Sequence, residues 1–239
     1  MLAIFKREMR AYFTTSIGYI FLASALLISA VIFWITTFFS GTADTSVYFS
    51  GLIFVLMIFL PVLTMKTFSE EKKTKTEQLL LTSPISTTQM VLGKFFSSVT
   101  MLAIYLALSF IYILPLFSYA AVEDGGPNMA LVMGNIMALF LVGMCFIAIG
   151  ILVSSMTENQ FAAIVVTVVV LLFLFIINIF TSMIDSYVVR VIFDWISIFA
   201  RYNVFTYGIF DIAALLYYIS ITAVVLFLTV RVFEARKFS

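Results

Sequence analysis

Glu70, Glu71 and Glu77 are interleaved with Lys72, Lys73 and Lys75 inside the run Phe68-Ser-Glu-Glu-Lys-Lys-Thr-Lys-Thr-Glu-Gln-Leu-Leu-Leu-Thr-Ser-Pro-Ile-Ser. Side chains of this kind make ion pairs and charge-assisted hydrogen bonds to a partner. They do not by themselves make a catalyst, and nothing elsewhere in the chain completes one. There is no histidine, which removes the nucleophile-histidine and zinc-protease arrangements, and Gly-x-Ser-x-Gly and Gly-x-Gly-Asp are missing. No Gly-x-x-x-x-Gly-Lys-Ser/Thr run exists to hold a nucleotide, so energy for any driven process must come from another polypeptide. The single cysteine, Cys145, lies in an apolar stretch and reads as a small packing residue. The chain is read as a non-enzyme that carries no cofactor of its own.

Helix punctuation surrounds the charged run. Thr67-Phe-Ser-Glu70 fits a capping box, Glu71 and Lys75 have the favourable i,i+4 order, and a short helix is expected from about Glu70 to Thr82. Glu70, Thr74, Glu77 and Leu81 would share one side of it. Pro84 cannot continue that helix, and Ser86-Thr-Thr-Gln89 forms a second capping box that starts the next one. Lys94, after Gly93, is expected at the membrane edge, where its stem can snorkel. Three leucines at 79–81 facing water would be costly unless a partner or the membrane covered them.

The elements that hold this segment are greasy. Hydrophobic residues make up 64% of the chain and charged ones 10%, far from the balance of a soluble domain. Ile17–Phe39, Val47–Met65, Phe95–Val122, Met129–Val153, Phe161–Thr181 and Ile212–Val230 contain no Asp, Glu, Lys or Arg. At roughly 1.5 Å per residue, each can cross a hydrocarbon core roughly 30 Å thick as a helix. A barrel would show short alternating strands instead. The first stretch exceeds the roughly 7–15 apolar residues of a secretory signal and is read as a retained span. The fold expected is an all-α membrane protein of six transmembrane helices.

Basic residues set the orientation. Lys6, Arg7, Arg10, Lys66, Lys72, Lys73, Lys75, Lys94, Arg231, Arg236 and Lys237 fall on one side of the spans, and only Arg190 and Arg201 on the other. The positive-inside rule then puts both termini in the cytoplasm. The net charge of +1 hides this polarity and says nothing about nucleic acid, and no nucleic-acid partner is expected. At the N-terminus, Leu2, Phe5, Met9, Tyr12 and Phe13 share one helical face opposite Lys6, Arg7, Glu8 and Arg10, as in a helix lying in the interface over residues 1–16. On the outer side, residues 182–211 are too long for a turn and too apolar for a wet loop. Arg190, Asp194, Ser197 and Arg201 fall close together on a helical wheel, and Tyr202-Asn203 is expected to turn the chain so that Val204–Phe210 returns as a second short helix. These would form an external hairpin of short re-entrant helices before the last span.

Phe68-Ser-Glu-Glu-Lys, Thr76-Glu-Gln-Leu-Leu-Leu-Thr-Ser-Pro-Ile, Val91-Leu-Gly-Lys-Phe and Gly150-Ile-Leu-Val-Ser-Ser-Met-Thr-Glu-Asn-Gln together resemble type 2 ABC export permeases, near the gliding-motility and copper-enzyme-maturation subgroup. The likeness extends over essentially the whole chain. One departure is Lys73-Thr-Lys-Thr76, where relatives usually carry Arg-Thr-Gly-Thr. The resemblance implies a single transmembrane domain (1–239) forming half of a prokaryotic inner-membrane exporter, paired with an identical or different second half. Each half would rest on a separate ABC ATPase subunit that binds ATP and Mg. Residues 66–94 would be the coupling segment, with Phe68, Glu70, Glu71, Lys72, Glu77, Leu80, Ser83 and Pro84 touching or shaping the ATPase contact. Ser154, Ser155, Thr157, Asn159 and Gln160 would line a second inner contact, and Arg190, Asp194 and Arg201 belong to the external hairpin. Hydrophobic or amphipathic cargo such as a lipid, peptide or drug is expected from the uncharged, aromatic-rich spans. Asn135 and Asn178, their strongest polar marks, read as helix-to-helix ties, and Gly143 and Gly150 as places where a helix can approach closely. Two other readings are an ATPase-recruiting scaffold without transport and a secondary carrier. The lack of intramembrane ionisable groups argues against the carrier.

Overall fold

The computed structural model describes residues 1–39, 45–76, 86–119, 128–181, 197–199 and 201–237. All regular structure among them is helical. α1 (Leu2–Thr14) precedes α2 (Ser16–Phe33), which runs on as a π turn through Phe38, with the Phe39 N–H reaching Trp34 O at 2.8 Å. Then come α3 (Ser46–Thr64), α4 (Lys66–Lys73), α5 (Thr87–Ser109), α6 (Leu114–Tyr119), α7 (Met129–Met156), α8 (Gln160–Thr181), α9 (Tyr202–Thr206) and α10 (Ile212–Lys237). Among the described residues, six helical stretches are long and apolar enough to span a bilayer: Ser16–Thr37, Ser46–Lys73, Thr87–Phe117, Met129–Met156, Gln160–Phe180 and Ile212–Arg236. The chain is an all-α, six-span membrane protein.

The bundle is organised around α7, whose most apolar window is 72% buried, against 17% for α8. It packs against α3, α5, α8 and α10. Gly143 sits against Leu102 of α5 and Gly150 against Thr64 of α3, so both close approaches are spent inside this subunit. Hydroxyls in the bundle bond to the preceding helical turn or across it, since lipid offers no partner. Thr64 donates to Leu60 O and Thr222 to Tyr218 O, while Ser29 Oγ and Tyr105 OH meet at 2.6 Å. Cys145 is buried and free, beside the Thr222 hydroxyl at 3.3 Å, a packing residue as its sequence context suggests.

Some local expectations change. The serine half of the second capping box forms: Ser86 caps α5 by accepting from the Gln89 N–H. The first does not, because Thr67 lies within α4, which begins at Lys66 and follows α3 with only Met65 between. The coupling helix α4 therefore starts earlier than Glu70, at Lys66, and ends at Lys73, with a turn through Thr76; residues 77–85, including Glu77, Leu80, Ser83 and Pro84, lie outside the described residues. At the other end of the bundle, the short helix begins at Tyr202 instead of Val204, and Gly208 (φ 73°) makes the turn after it, a conformation glycine adopts freely. Arg190 and Asp194 lie outside the described residues. Arg201 stacks 4.3 Å from the centre of the Tyr217 ring. Tyr202 OH donates to Asn135 Oδ1 at 3.2 Å, and Ser197 Oγ to Asn178 Oδ1 at 3.1 Å, so both asparagines tie this segment to the spans. Burial pushes the Tyr202 phenol up.

Candidate coupling site

A new helix exposes backbone N–H groups that its own turns cannot satisfy. α4 begins after Met65, which has no polar side chain, and no local cap forms. The cap comes from another helix: Ser154 Oγ, near the end of α7, accepts from the Phe68 and Ser69 N–H groups at 3.1 and 3.2 Å and donates to Met65 O at 3.0 Å. Ser154 is fully buried. It lies within the second inner contact suggested by sequence, and the structure places it as a clamp on α4.

The same end of the bundle holds a charged cluster. Arg7 Nη2 contacts Glu8 Oε1 at 2.7 Å and Glu71 Oε1 at 2.8 Å, while Lys94 Nζ lies 2.8 Å from Glu71 Oε2 and 3.5 Å from Glu8 Oε1. Lys94 also donates to Thr67 O and sits 4.6 Å from the centre of the Phe68 ring. Its side chain is 2% exposed. Lys94 therefore does not snorkel to water: α1 folds across α5, and two carboxylates supply what the solvent would have. Close approach of α1 is possible because residue 93 is glycine; a Cβ there would stand 3.0 Å from Ile4 Cβ. The face of α1 that packs carries Ile4 and Tyr12, with Glu8 between, rather than Leu2 and Phe13, which are exposed. Tyr12 OH and Ser98 Oγ meet at 3.0 Å. Burial raises the Tyr12 phenol to about 12 despite that hydrogen bond. Burial alone would lower Arg7, but its hydrogen bonds and charge contacts with Glu8 and Glu71 raise it overall. Glu71 is thus engaged inward, and the Glu71–Lys75 pair expected from spacing is replaced by Glu71 with Arg7 and Lys94.

The remaining residues surround these. Phe68 is buried against Phe233 of α10, with ring centres 4.6 Å apart, so it shapes α4 from within. Glu70 is exposed, and Lys66 lies 3.8 Å from it. Lys72 pairs with Glu158 at 3.3 Å across the α7–α8 turn, and Arg236 Nη2 donates to Ser155 O at 2.8 Å. Thr157 donates back to Val153 O, and Asn159 Oδ1 accepts from the Phe161 N–H, capping α8, whose first residue is Gln160. The structure therefore joins Phe68, Glu71, Lys72 and Ser154 with the second-contact turn into one platform. Sequence reasoning missed Arg7, Glu8, Lys94, Glu158 and Arg236 as members of it. For Lys94 a signal existed: it lies two turns inside a helix whose cap, Ser86, was identified.

Just past the end of α4, Lys75 takes φ 58°, with the Thr74 N–H donating to Glu70 O and the Lys75 N–H to Lys72 O. Left-handed backbone costs about 1–2 kcal/mol for a residue with a Cβ, and helices commonly end on glycine there. Lys75→Gly is expected to raise stability by about 0.5–1 kcal/mol, since part of the gain is offset by greater unfolded-chain entropy. Thermal unfolding in detergent would show an upward shift; a downward one would show that the lysine side chain is needed at this turn.

Among curated proteins none matches the sequence. The profile of the family described as "ABC-2 family transporter protein" matches residues 35–232, which take in the second to fifth spans, most of the sixth, α4 and the α7–α8 turn, and leave nearly all of the first span outside. The chain thus belongs to the ABC-2 family of transporter proteins and is a transmembrane subunit of an ABC transporter.

Proposed function

We propose that this chain is one half of an ATP-driven exporter of the cytoplasmic membrane, with both termini cytoplasmic. It pairs with an identical or different second half, and each half rests on an ABC ATPase that binds ATP and Mg. The gliding-motility and copper-enzyme-maturation subgroup belongs to this proposal through the motif resemblance alone. Cargo is hydrophobic or amphipathic, a lipid, peptide or drug, because the charge-free spans offer apolar lining and little else.

One observation carries the reading: α4 is held to α1, α5, α7 and α10 by ion pairs, a cap donated from α7 and aromatic stacking. A push on α4 would therefore move the spans as a body instead of being absorbed by a loose loop. On the outer surface of this platform, Lys73 is exposed and, with the segment through Pro84, would face the ATPase.

Co-purification of the tagged chain from its native membrane, with ATPase assay of the assembly, tests this. Recovery of a P-loop ATPase with the chain, lost when Glu77 and Leu80 are both substituted while membrane insertion persists, is the expected result. A chain that purifies alone and inactive after gentle extraction with an ATPase available would overturn it.

A further inference from the structure

Beneath α1 lies a cavity of about 230 Å³ lined by Glu8, Ala11, Tyr12, Thr15, Ile17, Leu63, Lys66, Thr67, Glu70, Glu71 and Lys94. It far exceeds the roughly 30 Å³ share of one water. Its walls are divided in character: Ala11, Ile17 and Leu63 are apolar, and the rest carry charges or hydroxyls. Glu8, Glu71 and Lys94 are committed to one another. Three wall groups are not. Thr67, 5% exposed, has a buried Oγ1 with no hydrogen-bond partner among the described residues, a state that ordinarily costs stability. Lys66 and Glu70 form only a loose i,i+4 ion pair, 3.8 Å apart and too long for a good charge-assisted hydrogen bond.

We propose that this cavity binds the head group of a phospholipid with a primary ammonium, drawn from the leaflet on the side of the chain termini. Opposite charges held loosely side by side match a zwitterion: Lys66 takes the phosphate and Glu70 the ammonium. Thr67 Oγ1 donates to a phosphate or glycerol oxygen, and the acyl chains leave along Ile17 and Leu63. A primary ammonium brings N–H donors to Glu70, whereas a quaternary ammonium brings none and is bulkier. An anionic head group would meet Glu70 without a counter-charge. Because α1, α3 and α4 all wall the cavity, occupancy would brace the interfacial helix against the platform.

Native mass spectrometry of the full chain, titrated with diacyl phosphoethanolamine, phosphocholine and phosphoglycerol lipids, tests the site. Each lost charge-assisted hydrogen bond is expected to weaken binding about tenfold. The phosphoethanolamine lipid should bind best; Glu70→Gln should remove its advantage over phosphocholine, and Lys66→Gln should weaken both. Thr67→Val separates binding from folding, because it deletes an unpartnered hydroxyl. The lipid-free protein should be as stable as the parent or more so, yet hold the phosphoethanolamine lipid less tightly. Equal binding of all three head groups, or Thr67→Val and Glu70→Gln variants that bind like the parent, would overturn the proposal. So would soluble glycerophosphoethanolamine binding as tightly as the diacyl lipid, because the occupant would then not come from the membrane.

Discussion

Lys94→Met is expected to destabilise the subunit by about 3–5 kcal/mol, because it leaves two nearly buried carboxylates without the cation between them. Glu8 and Glu71 side chains are each 16% exposed and converge on a lysine that is 2% exposed. Arg7 remains, but it is half exposed and reaches the carboxylates from the solvent side. Methionine keeps the length and apolar stem of lysine, so the loss reports on charge more than on volume. Thermal unfolding followed by size-exclusion chromatography in detergent would measure it. Glu71→Gln in the same chain should recover part of the loss, with a coupling of at least about 1 kcal/mol in a double-mutant cycle. A Lys94→Met subunit within about 0.5 kcal/mol of the parent would mean that the cluster contributes no more than an ordinary surface set of charges.

Ser154→Val should separate folding from coupling. It leaves the N–H groups of Phe68 and Ser69 without their acceptor and puts a methyl in their place, a loss of about 1–3 kcal/mol for each buried donor left unpaired. Some of that is recoverable if the first turn of α4 tightens onto carbonyls of α3. The larger effect is on how firmly α4 follows α7. With the clamp gone, ATP hydrolysis by the partner should persist while transport falls several-fold, since α4 can move without carrying the spans. Measuring both rates on the reconstituted assembly decides this. A proportional fall in both would mean that Ser154 matters for assembly alone. Ser154→Thr keeps the hydroxyl and should retain most of the coupling.

Lys72 and Glu158, by contrast, form a pair whose carboxylate is 69% exposed. Screening by water leaves such pairs worth little, so Glu158→Gln should barely change stability. Any effect it has on ATPase binding would come from the partner's side of the contact.

The sequence by itself determined the spans and the segregation of charge. Six charge-free runs allow no other structure in lipid, because each backbone polar group must be satisfied within its own helix. It also determined the Ser86 cap, where the relevant groups are a few residues apart. Arg7, Lys66, Lys72, Lys94 and Arg236, which their spacing assigned to one side of the spans, do meet at one end of the bundle around the platform. Tertiary structure decided the rest of the coupling site. The Thr67-to-Glu70 pattern satisfied every local rule for a cap, but α3 runs into α4 with only Met65 between and a serine from 86 residues away takes the capping role. Glu71 had Lys75 at the right helical spacing, yet the helix ends first and Arg7 and Lys94 claim the carboxylate. Lys94 reads as a snorkelling residue until α1 is laid over it. In each case the local rule was sound, and a long-range partner offered a better hydrogen bond or charge contact in a drier place, where such contacts are stronger.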